Sequence, residues 1–156
     1  MQTLERLQLH LEEAKHHIQR LNSVMETLKN YYPFDEDTFN SLESEILDKL
    51  DVLAFRFAKL QDLLGSKIFR EYLEVNSYPL EGKSFLEILK VLDKEQIIDI
   101  DRWSEFRGVR NALAHDYPFE EYEKLEAINY LIENIAYLIE VTKKIRRKVE
   151  TITQRD

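Results

Sequence analysis

The sequence predicts an all-α fold, an antiparallel up-and-down helical bundle with short extra helices. Apolar residues recur at spacings of three and four over long stretches, no segment alternates as a half-buried strand would, and three glycines with three prolines in 156 residues leave few places for tight turns. A chain of this length buries roughly 70% of the surface its unfolded form exposes, so one domain over residues 1–156 can hold a real core.

The first helix is predicted from Thr3 to about Lys29, where Leu4, Leu7, Leu11, Ala14, Ile18, Leu21, Met25 and Leu28 form one apolar stripe. Pro33 ends it, and Asp35 or Asp37 can cap the next. The second helix is expected from about Glu36 to Leu64, apolar round much of its middle and the most buried element, with Gly65 at its C-terminus and a shorter helix following through "SKIFREYLEVN". "NSYPLEGKS" reads as a loop, after which Ser84 and Glu87 form a capping box for a fourth helix. A fifth is expected from about Ile100 through "DRWSEFRGVRNALAH", bounded by Pro118. The last starts near Phe119, with Tyr122, Leu125, Ile128, Ile132, Ile135, Leu138, Ile139, Thr142 and Ile145 on its stripe, and ends in a basic tail from about 143 to 156.

The net charge of −8 argues against a general nucleic-acid binder but leaves room for a local basic site. Positive charge gathers late, at Arg102, Arg107 and Arg110 and in "KKIRRK" at 143–148. The absence of cysteine removes thiolate ligation and a cysteine nucleophile, and nothing requires an oxidising compartment. The first thirty residues lack the apolar core of a signal peptide and no window approaches a membrane span, so a cytoplasmic protein without a membrane partner is expected.

The stretch richest in chemistry is "RGVRNALAHDYP", 107–118. Arg107, Asn111 and His115 are spaced by four and climb one helical face. Arg110 stands about 140° round from His115, so those two side chains converge only if the helix loosens before His115 or if Arg110 works across an interface. The residue types suit phosphodiester cleavage without metal: a histidine can exchange a proton with a ribose hydroxyl, and an arginine can hold phosphate bidentately. One histidine cannot easily serve as both base and acid, which points to a two-fold dimer with two copies in one cleft. The plain alternative is a helix C-terminus whose Arg, Asn and His meet the negative end of the dipole.

The run Arg110, Asn111, His115, Tyr117 resembles the R-x4-H-x-Y signature of HEPN-domain proteins, in particular the HepT-type toxins of HEPN/MNT toxin–antitoxin pairs. "DVLAFRFAKLQDLLGSKIF", 51–69, also looks like the long core helix of that family, and the resemblance extends from about residue 5 to 148. It implies a helical bundle dimerising so that two motifs share a cleft, and a metal-independent, cofactor-free ribonuclease acting on RNA. Arg110 and His115 are then catalytic, with Asn111, and Arg107 on the same row, in support. The implied partner is an MNT-type nucleotidyltransferase antitoxin that silences the toxin, in a type VII system, by transferring AMP to Tyr117. Related proteins with degraded motifs suggest the second reading, a non-catalytic subunit that presents substrate to a nucleotidyltransferase complex.

Other residues read more plainly. His10, His16 and His17 are expected on solvated helix surface, and no metal site is expected, because neither cysteine nor an HExxH pattern is present. Lys143, Lys144, Arg146 and Arg147 read as a solvated helix end favoured by the dipole, with RNA-backbone contact as the alternative. Trp103 is expected in the core or a dimer interface.

Overall fold

The computed structural model describes residues 1–114 and 121–154, and among these every regular element is helical. Helices α1 (Thr3–Leu28), α2 (Glu36–Asn40) and α3 (Ser44–Leu63) are followed by a π turn at Leu64–Ile68 that runs straight into α4 (Phe69–Val75). Then come α5 (Phe85–Lys94), α6 (Ile100–Leu113) and α7 (Glu121–Gln154).

Cross-helix contacts fix the directions. Residue 17 of α1 meets residue 56 of α3 while residue 10 meets residue 71 of α4, so the two run antiparallel. Backbone N–H of Asp99 donates to the Tyr137 hydroxyl at 2.7 Å and Arg102 donates to Asn134 at 3.3 Å, which sets α6 antiparallel to α7. At the other end of α7, Arg146 donates to the Leu11 carbonyl at 2.9 Å, while near its start the Asn129 amide both accepts from Phe34 N–H and donates to Phe34 O at 2.8 Å. The long helices α1, α3–α4, α6 and α7 thus form the up-and-down bundle, and the short α2 and α5 lie in the connections between them.

The predicted stripes point inward. Leu7, Leu21 and Leu28 of α1, Phe57 and Leu60 of α3, and Leu131, Leu138 and Ile145 of α7 are fully or almost fully buried. Phe106 of α6 lies among them, with ring centroids of Phe57, Tyr130 and Tyr137 at 6.0, 5.3 and 6.1 Å. Offset and edge-on ring pairs of this kind add to the burial of each ring.

Four sequence expectations need correction. The second helix is not continuous from Glu36. Asp35 caps α2 with a capping box, but at Ser41 the hydroxyl donates to the Thr38 carbonyl at 3.0 Å, and α3 starts afresh at Ser44. Serine competing for backbone partners in this way breaks a short helix that has no buried residue to hold it. Gly65 does not end a helix either; the chain passes through it in the π turn. On the last stripe Tyr122 is exposed rather than inward. The predicted start at Phe119 falls outside the described residues. Nor is α3 the most buried element: Leu50, Leu53, Phe57 and Leu60 face the core, but Asp51, Phe55 and Lys59 on the same stretch are exposed, and the shorter α4 buries a larger share of its residues.

The α5 capping box is present as expected: Glu87 N–H donates to Ser84 Oγ at 3.2 Å and Ser84 N–H to Glu87 Oε1 at 3.3 Å.

Candidate phosphate groove

Helix α6 presents the basic residues, and its start is set by Asp99, whose carboxylate accepts from the N–H groups of Asp101 at 2.9 Å and Arg102 at 3.1 Å. From there Trp103, Phe106 and Val109 turn into the core. Trp103 is core as expected, its ring 4.8 Å from that of Phe69. The adjoining stripe of Arg107, Arg110 and Asn111 lines a groove of about 600 Å³ against α3 and the π turn. Opposite stand Asp62, Gly65 and Ser66, with Phe85 of α5 also in the lining.

Arg110 therefore does not stand apart from the row of Arg107 and Asn111. Positions three and four apart on a helix are neighbours, so one groove takes all three side chains. The helix ends at Leu113, with Ala114 as its C-cap donating back to the Arg110 carbonyl at 3.1 Å. That agrees with the expectation of a helix ending near His115. His115 and Tyr117 themselves lie outside the described residues.

Arg110 Nη1 donates to Asp62 Oδ1 in an ion pair that bridges α6 and α3, with both side chains close to half exposed. Beside Asp62, Gln61 is buried, and its Oε1 has no hydrogen-bond partner among the described residues. Gly65 makes room in the groove wall: a Cβ there would come within 3.1 Å of Trp103 Cζ2 and 3.6 Å of Phe85 Cζ. Sequence reasoning missed Asp62, Gly65 and Phe85 as site residues, since they stand 48, 45 and 25 positions from Arg110 and carry no local signal.

The basic tail lies elsewhere. Lys144 donates to the Gln96 carbonyl at 2.8 Å, just ahead of the α6 N-terminus, whereas Arg110 sits near the opposite end of that helix, about 15–20 Å further along it. Arg146 is engaged with Leu11 O and Arg147 with Glu140 at 2.9 Å, leaving Lys143 exposed. Within one chain, then, these residues and the groove do not form a common surface.

Two of the N-terminal histidines are not solvated surface. His10 Nδ1 lies 2.7 Å from the buried Glu71 carboxylate, and Arg56 Nη1 donates to Nδ1 of buried His17 at 3.1 Å. Burial first, and then the Arg56 charge, pushes the His17 pKa below its ordinary value, so the ring is held neutral with its proton on Nε2. His16 is exposed as expected.

Among the described residues no group of three or more His, Asp or Glu is arranged to hold a metal ion, and no helix is long and apolar enough to cross a membrane. The groove can hold an anion between its guanidiniums, with amide and hydroxyl groups at hand. No protein-family model, curated protein or solved structure matches the chain.

Proposed function

We propose that this protein is a HEPN-type toxin acting as a metal-independent ribonuclease, neutralised by a nucleotidyltransferase antitoxin. One observation carries the reading: Arg107, Arg110 and Asn111 share a groove at the end of a helix that stops at Leu113, two residues before His115. Arginine in such a groove holds the scissile phosphate and offsets charge that builds on it. His115 takes the proton from a ribose 2′-hydroxyl as that oxygen attacks phosphorus, and the 5′-oxygen leaves with a proton from the His115 of a second copy across a two-fold axis. AMP on Tyr117 would place bulk and negative charge beside the phosphate site and block RNA.

The test is cleavage of RNA by purified protein in excess chelator. His115→Ala and Arg110→Ala should each abolish cleavage while the oligomer stays intact, and co-expression with an MNT-type nucleotidyltransferase from the same source should add AMP to Tyr117 but not to Tyr117→Phe. If His115→Ala cuts as fast as the parent, the mechanism is wrong. The second reading, a non-catalytic subunit presenting substrate to a nucleotidyltransferase, draws support from the Asp62 carboxylate that already occupies Arg110. Protein inert on RNA yet tightly bound to the transferase would decide for it.

A further inference from the structure

We infer that Asp62 sets the charge of the phosphate site, cutting down the preference that two bare guanidiniums would have for the double charge of a terminal phosphate over the single charge of an internal phosphodiester. The inference rests on the reading of Arg110 as a phosphate ligand. It concerns a residue of α3 that has no part in the motif on α6.

Two guanidiniums, Arg107 and Arg110, and one carboxylate, Asp62, are the charged groups lining the groove among the described residues, which leaves it one positive charge in excess. Without Asp62 the excess would be two, and the pull on a doubly charged ligand correspondingly stronger. Arg110 and Asp62 are already paired, and an exposed pair of this kind is weakly held, so a phosphate can displace the carboxylate from the guanidinium at little cost. The displaced carboxylate does not leave. It is fixed to α3, whose neighbouring residues Leu60 and Leu63 are in the core, and remains beside whatever anion Arg110 has taken up. Its repulsion then grows with each unit of charge the ligand brings. For unit charges about 4 Å apart in a water-like medium, each unit is worth about fivefold in binding. A substrate diester thus pays that factor once, and a terminal phosphate, including one on a cleaved RNA end, pays it twice.

The experiment uses two ligands that differ in this charge and one methyl group: adenosine 5′-monophosphate, a dianion above neutral pH, and its methyl phosphodiester, a monoanion. Binding of each to the full-length protein is measured by calorimetry at low salt for the parent, Asp62→Asn, Asp62→Glu and Arg110→Ala. Asp62→Asn should tighten the diester about fivefold and the monoester about twenty-fivefold, so the monoester-to-diester preference rises about fivefold. Asp62→Glu should keep the parent's preference, and the gain in Asp62→Asn should shrink in molar salt. An unchanged preference in Asp62→Asn, with binding still dependent on Arg110, overturns the role of Asp62 while leaving Arg110 as phosphate ligand. Equal weakening of both ligands would make Asp62 a residue that merely positions Arg110, and also overturns it. If neither ligand binds better to the parent than to Arg110→Ala, the phosphate reading of the groove falls, and this inference with it.

Discussion

The Trp103 indole lies against Gly65, so close that a Cβ at 65 would come within 3.1 Å of Cζ2. The ring cannot retreat easily, because it is 4% exposed and packs on Phe69. This contact holds the π turn of α3–α4 against α6 and shapes the wall of the groove in which Arg107 and Arg110 stand. A residue inserted into helical winding is a frequent device for re-aiming side chains at working sites.

Gly65→Ala should therefore destabilise the protein by about 1–2 kcal/mol, overpacking outweighing the better helix propensity of alanine. Gly108, on α6, is the matched control, since a Cβ there meets nothing within 4 Å. Gly108→Ala should stabilise the monomer by about 0.5–1 kcal/mol. Chemical denaturation of both variants checks the pair. A loss of stability in Gly108→Ala that depends on protein concentration would place a second helix on that face.

Glu71 of α4 ties down the start of α1. The residue is 8% exposed, and its carboxylate lies 2.7 Å from His10 Nδ1 and has Arg6 Nε at 3.9 Å. Removing a buried, charged hydrogen-bond acceptor leaves its partner wanting, so Glu71→Ala should cost about 2 kcal/mol, and Glu71→Gln, which keeps an acceptor oxygen, distinctly less. Equal losses in the two variants would show that packing and not the hydrogen bond is what Glu71 supplies.

Stability should also fall on mild acidification through His17. Its pKa is lowered in the folded state by burial and by Arg56, with Lys59 and His16 acting in the same direction and Glu13 opposing. The unfolded chain, with a histidine pKa near 6.5, therefore binds a proton that the folded chain refuses. The stability from neutral His17 is complete above about pH 6.5 and declines as pH drops below that value towards the folded pKa. Over pH 7.5 to 5.5 the Tm of the parent should drop more steeply than that of His17→Gln, whose amide oxygen can still accept from Arg56. Parallel profiles would remove His17 as the cause.

Much of the fold was legible because helix formation is written in local pattern. The stripes of α1 and α7, the capping box of Ser84 and Glu87 and the stop of α6 before Pro118 all rest on residues within a few positions of one another. The two errors have different causes: at Ser41 a hydroxyl bond within the same turn competes with the helix, which apolar periodicity does not register, and at Gly65 the partner is remote. Both looked like ordinary positions, one within a helix and one at its end, and their roles come from a competing hydroxyl and from a tryptophan 38 residues away. His10 and His17 of α1 were misplaced for a related reason: a polar residue on an amphipathic helix is buried only when another helix brings it a partner, here Glu71 and Arg56.

By itself, then, the sequence determined the helices, their inward faces and the arginines and asparagine of the motif stretch, since periodicity and spacing act over single turns. Only the tertiary structure decided that this face of α6 lines a groove, that Gly65 and Phe85 shape that groove, and that Asp62 meets the Arg110 guanidinium. Such neighbours are chosen by how α3, α5 and α6 pack round a common core, and packing brings together residues whose separation along the chain carries no trace of the contact.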